Sequence, residues 1–203
     1  MRWNVLSGGI TGPEFTAGRT SDHHSPFSLS DLPPEALYLA DLGFFSLTRL
    51  ATMAHGQGGK RFFVTRWQPP TNLYTRSGHR IELRGLLPQV VGQVRDLGVI
   101  VGRRNPVAVR LILVRVPEEV AKERQERLRQ SVKDKHGREP SAEMLYLANW
   151  LILLTNLPRR RAECFQVIVL LRLRWQIERL CASLERRRKN RRMAFLQTAS
   201  YPV

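Results

Sequence analysis

Leu37-Tyr38-Leu39-Ala40-Asp41-Leu42-Gly43 is the stretch that decides how the fold is read. Four apolar residues in a row suit a short buried strand, and the run ends on a carboxylate before turning at Gly43. Asp41 is therefore predicted at the carboxyl end of a strand. Phe44 to Ala54 then places apolar residues at 44, 45, 47, 50, 51 and 54, the spacing of a helix that closes in His55-Gly56-Gln57-Gly58-Gly59. A strand that delivers an acid and passes into a helix predicts an α/β core.

Upstream of this unit, residues 1–26 are short apolar stretches broken by Gly8-Gly9, Gly12-Pro13 and Gly18, which predicts a hairpin of two strands. A short helix is predicted from Ser28 to Ala36, with Ser30 or Asp31 as its cap and Pro33 and Pro34 in its first turn. Downstream, the character turns to β. Arg61 to Trp67, Leu73 to Tyr74, Arg80 to Leu83, Gln89 to Val94, Val99 to Val101 and Val107 to Arg115 read as strands between turn signals such as Pro69-Pro70 and Asn105-Pro106. Pro117 and Glu118 open a charged helix that Gly137 stops; it carries seven basic and three acidic residues from Lys122 to Arg138, and its polar faces read as solvated. Ser141 caps a helix to Asn149, Trp150 to Thr155 returns to a buried strand, and about Ala162 to Lys189 forms the last helix. The expected organisation is residues 1–59 as the amino-terminal part of the α/β core and 60–116 as a β-rich insert. Residues 117–190 complete the core, and 191–203 form a disordered basic tail.

Composition narrows the partners. The 203 residues contain 33 Lys and Arg against 17 Asp and Glu, a net charge of +16 that calls for a polyanion, with nucleic acid first. The longest apolar runs, Trp150 to Leu154 and Val167 to Leu171, fall well short of the roughly 18 residues of a spanning helix, so no membrane partner is expected. MRWNVLSGGI lacks the build of a signal peptide, which makes the cytoplasm the default compartment. Cys164 and Cys181 lie 17 helical steps apart, about 25 Å, too far to bridge, and read as reduced thiols. His23-His24 beside Asp22 reads as a solvated turn, and Gly56-Gln57-Gly58-Gly59-Lys60 as a loop, because Arg61 stands where a phosphate loop needs Ser or Thr.

Chemistry concentrates on the last helix. At 100° per residue, Leu171, Arg174, Glu178 and Glu185 fall at relative angles of roughly 0°, 300°, 340° and 320°, one narrow face beside a stripe of leucines. Arg174 and Glu178 are either an ordinary i,i+4 ion pair or a carboxylate and a cation aimed at one point.

The sequence Leu170-Leu171-Arg172-Leu173-Arg174-Trp175-Gln176-Ile177-Glu178 resembles the glutamate helix of DDE-type insertion-sequence transposases of the IS-four kind. In that family Tyr, Arg, Glu and Lys recur at spacings of three, four and seven. Ala40-Asp41-Leu42-Gly43-Phe44-Phe45-Ser46 is similar to the family's second-aspartate strand, and Arg61-Phe62-Phe63-Val64-Thr65-Arg66 to the first strand of its β insert. Trp150-Leu151-Ile152-Leu153-Leu154-Thr155-Asn156-Leu157-Pro158 is similar to the strand leading into its last helix, and the likeness runs in order from about residue 3 to 184. It implies a ribonuclease-H-like fold in which two Asp and one Glu hold two Mg²⁺ ions about 4 Å apart for DNA cleavage and strand transfer. Transferred residue by residue, Asp41 is the second carboxylate and Glu178 the third, and both are metal ligands. Arg174 contacts DNA phosphate, and Arg66 is a further candidate for a backbone contact. Trp150 stands where relatives stack a tryptophan on an unstacked base, and it reads equally as a core indole at a strand start.

The family's first Asp has no counterpart. It is expected on a strand preceding the opening hairpin, and upstream of Asp41 only Asp22 and Asp31 occur, both amid loop or helix signals. Leu171 takes the tyrosine's place and Glu185 the lysine's, and the likeness stops after Leu184, where Glu185 to Arg192 is read as a helix end, a phosphate patch or out-of-frame text. The expectation is a catalytic domain truncated at both ends, with its first core strand missing, an incomplete two-ion site and no activity alone. Its expected partners are DNA and either a second copy or an intact transposase. The alternative is a non-catalytic basic module that binds DNA or interferes with an intact relative.

Overall fold

The computed structural model describes residues 2–4, 7, 10–11, 29, 32–40, 45–56 and 59–173. Strands β1 (Arg2–Trp3) and β2 (Ile10–Thr11) pair antiparallel, as the glycine punctuation predicts for a hairpin. Seven further strands form one sheet: β3 (Leu37–Ala40), β4 (Phe62–Arg66), β5 (Leu73–Tyr74), β6 (Arg80–Ile81), β7 (Val94–Val101), β8 (Val107–Arg115) and β9 (Trp150–Thr155). Their spatial order is β3-β4-β9-β8-β7-β5-β6. β3 and β4 run parallel, and every other neighbouring pair is antiparallel. The strands between residues 60 and 116 thus hydrogen-bond into the same sheet as β3 and β9.

Strand pleat sorts the side chains into two cores. Phe63, Leu111, Leu113, Trp150, Ile152 and Leu154 point to one face, where Leu50 and Met53 of helix α1 (Leu47–His55) cover them. Phe62, Val64, Ile112 and Leu153 point to the other, with Leu37 and Leu39 packed alongside. Residues 164–173 are helical and form α4, which lays Val167 and Leu171 into this second core. The result is a helix–sheet–helix sandwich, the reason β4, β8 and β9 read as near-continuous apolar runs. Helices α2 (Glu118–His136) and α3 (Ala142–Leu147) connect β8 to β9. Pro117 precedes α2, and Gly137 ends it at φ +63°, a left-handed turn that an L side chain resists.

Two local expectations are corrected. No helix forms over residues 32–36: Leu32 to Ala36 is a turn in which Glu35 adopts φ +64°, incompatible with helical continuation. The predicted strand Gln89 to Val94 is likewise a turn built on Gly92 at φ +78°, with Val90 and Val91 exposed, and β7 begins only at Val94. Apolar side chains there imitate a strand that the backbone does not make.

Candidate functional site

Register brings two of the predicted residues, Arg66 and Trp150, to one end of the strands. β3 and β4 end side by side, with Ala40 opposite Thr65, so Arg66 closes β4 one step beyond the last described pair. Arg66 lies opposite Leu153, and β9, running the other way, begins at Trp150 on that same edge, opposite Arg115 of β8. Arg66 and Trp150 are therefore brought to one region. Asp41, Arg174 and Glu178 lie outside the described residues: Asp41 is the residue after β3, and Glu178 is five positions beyond residue 173.

Trp150 is 3% exposed. Its indole Nε1–H donates to the Pro88 carbonyl at 2.7 Å, the Arg115 guanidinium sits 4.5 Å above the ring, and the Tyr146 ring lies 4.8 Å away at a tilt. These contacts occupy the ring with protein, the packing role that the sequence leaves open beside base stacking.

Arg124 was not legible as a site residue. It reads as one charge among many on a solvated helix, yet Ala121, Arg124, Gln125 and Leu128 share the i, i+3, i+4, i+7 face that α2 turns inward. Its Nη1 donates to the Trp150 carbonyl at 2.9 Å. Burial, and then the positive charge of Arg66, pull its pKa down to about 10, which leaves it cationic at neutral pH. Gln125 Nε2 donates to the Leu145 carbonyl, holding α2 against α3.

A second polar assembly sets where α4 starts. Arg110 of β8 grips Asp96 of β7 with two guanidinium nitrogens, at 3.2 and 2.7 Å. Its third nitrogen donates to the carbonyls of Leu157 and Ala162, on either side of the loop that leads to α4. Arg159 on that loop also binds the Asp96 carboxylate, at 3.1 Å. Burial alone would raise the Asp96 carboxyl, but the hydrogen bonds and charges of Arg110 and Arg159 together outweigh it and hold it below its ordinary value. Asn156 continues the β4–β9 ladder with its side chain, accepting from Phe63 N–H and donating to the Arg61 carbonyl, both at 2.8 Å.

Among the described residues no group of three or more His, Cys, Asp or Glu side chains is placed to hold a metal, and the Asp96 carboxylate is committed to arginines. No described helix is long and apolar enough to cross a membrane. A sequence model of one protein family, described as a transposase DDE domain, matches residues 14–199. No curated protein and no solved structure gives a match.

Proposed function

The chain belongs to the transposase DDE domain family, and from that premise we propose that it carries two of the three carboxylates of an IS-four-kind, ribonuclease-H-like active site for cutting and joining DNA. Asp41, delivered by β3, and Glu178, on the continuation of α4, are the metal-binding acids in this reading. The observation that carries it is the placement of α4. Leu37 and Leu39 on β3 and Phe62 and Val64 on β4 belong to the core that α4 covers through Leu171. Continuing the strand alternation reaches Asp41 and Arg66 on that face, and Glu178 shares a helix face with Leu171. From residue 164 to 178 a helix rises about 21 Å, comparable with the roughly 20 Å of the six-residue β9. α4 starts from the amino end of β4, where Asn156 and Arg110 fasten its loop, so extending it leads toward the carboxyl ends of β3 and β4.

The donors are hard carboxylate oxygens, which suit Mg²⁺. A bound divalent ion supplies the charge that activates a water or 3′ hydroxyl and stabilises the leaving oxygen. The chain's own residues do the remaining work: Arg174 and Arg66 hold phosphate oxygens through charge-assisted hydrogen bonds, and Trp150 firms the start of β9, the strand next to the one that ends on Arg66. Two acids are too few for two closely spaced ions, whose mutual repulsion then goes uncompensated, and Glu185 opposes phosphate where a lysine would attract it. We therefore expect these 203 residues by themselves to retain DNA without cutting it, and to compete with an intact relative for DNA ends or pair with it.

The test is incubation of supercoiled DNA with the protein and Mg²⁺. Retention that weakens with salt, with no nicking, fits the proposal. Nicking that disappears in Asp41→Ala or Glu178→Ala would restore a complete site and overturn the inactivity. Spin labels at positions 41 and 178 that fail to couple at short range in a folded protein would remove the shared site altogether.

A further inference from the structure

Four side chains from four separate elements form a ladder of contacts at the start of β9. The guanidinium of Arg84, on the single 3₁₀ turn Leu83–Leu86, lies 4.9 Å from the centre of the Tyr146 ring. Tyr146, on α3, meets the Trp150 ring at 4.8 Å, and the Arg115 guanidinium stands 4.5 Å from the centre of that second ring. Arg115 and Trp150 are direct cross-strand partners, the last residue of β8 opposite the first of β9, so both side chains leave the sheet on one face. The indole is fixed in turn by its 2.7 Å hydrogen bond to the Pro88 carbonyl. Glu82, Glu118 and Glu143 lie within three residues of ladder members in sequence, yet Glu118 pairs with Lys122, and neither Arg84 nor Arg115 makes an ion pair among the described residues. A cation–π contact restrains a guanidinium without neutralising it and leaves N–H donors for a further acceptor. Arg84 is exposed and Tyr146 is 36% exposed, so the ladder is open to a ligand.

We infer that Arg84 and Arg115, braced by Tyr146 and Trp150, hold the phosphate backbone of a DNA strand that passes the start of β9. Two restrained cations without a carboxylate partner call for an anion, and a guanidinium fork matches phosphate oxygens in pairs. The rings hold the arginines before DNA arrives, so little side-chain freedom remains to be lost on binding. β9 begins at the end of the sheet where β4 stops, which sets these contacts beside the path the DNA takes in the proposed function. They are positioning contacts: they fix where the backbone lies along that end of the sheet. The inference rests on the transposase reading.

The experiment measures affinity for a short DNA duplex against salt concentration for the full chain and for Arg84→Met and Arg115→Met, which keep length and lose charge. Each lost phosphate contact is expected to lower the slope of log affinity against log salt by about 0.9 and to weaken binding several-fold at low salt. Tyr146→Phe should bind like the parent, whereas Tyr146→Ala should weaken binding although it removes no charge, the mark of a braced arginine. Slopes unchanged in both arginine variants, or Tyr146→Ala binding like the parent, would overturn the inference. An equal fall in slope from Arg104→Met, in the turn at the opposite end of β8, would show that the slope follows net charge alone and would overturn it as well. Where Arg115→Met does not fold, the exposed Arg84 carries the test, and an unchanged slope in Arg84→Met is decisive. Failure of the parent chain to bind the duplex in any salt-dependent way would defeat the transposase reading itself, a result distinct from all of these.

Discussion

Asp96 shows how much one side chain can decide. It is 16% exposed, accepts from Arg110 and Arg159, and anchors the guanidinium that also holds the Leu157 and Ala162 carbonyls. Replacing it with Ala leaves Arg110 nearly buried with no counter-charge, so Asp96→Ala is expected to lower unfolding free energy by about 3 kcal/mol, measured by urea titration. The pH dependence follows from the carboxyl being held below its ordinary value of 3.8. The unfolded chain binds the proton first as pH falls, so the stability due to Asp96 is fully present above that ordinary value and is lost as pH falls through the lower folded one. The parent should therefore lose stability more steeply than Asp96→Asn below about pH 4, and parallel acid titrations of the two would refute the assignment. None of this was legible in the sequence. Arg110 sits mid-strand in an apolar run, and its partners lie 14, 47 and 52 residues away. Trp150 was half legible: its strand was evident, its indole's partners were not.

At the scale of elements, α4 makes the sharpest prediction because its two faces differ so strongly. Leu171 is 6% exposed in the core shared with Phe62, Val64, Ile112 and Leu153, whereas Phe165 is 71% exposed. Leu171→Ala is expected to cost about 3 kcal/mol, the usual loss for a buried leucine with partial collapse of the cavity, and Phe165→Ser less than about 0.5 kcal/mol. Thermal melts that rank the two the other way would turn the helix over and carry the Glu178 face away from the sheet. Which elements exist was largely readable. Trp150–Thr155 was found to the residue because a strand buried on both faces needs no alternation, and α2 is framed by Pro117 and Gly137, which act locally. Pairing was not readable. That β8 lies between β7 and β9, and that β4 joins β3 in parallel, depends on contacts far apart in sequence. The inward turn of α2 escaped for a related reason: a half-buried arginine is recognisable only from the carbonyl that receives it, here Trp150, 26 residues on.

For the whole molecule, charge ties stability to function. A net +16 on 203 residues repels itself in the compact state and attracts any polyanion. Salt acts on these two effects in opposite directions. Raising ionic strength shortens the screening length to about 10 Å at 0.1 M and relieves repulsion within the fold, so the melting temperature of the free protein should rise between 50 and 200 mM salt. Over the same range the affinity for duplex DNA should fall, by about a thousandfold for some six phosphate contacts. On the proposed reading DNA binds the folded chain, so at low salt it should raise the melting temperature by mass action, and that increment should vanish as salt is added. The decisive measurement is a melting series with and without duplex across this range, in which the two curves converge. Curves that stay parallel would mean that the basic surface does not engage DNA through phosphates, and the edge formed by β3, β4 and β9 would then need another ligand.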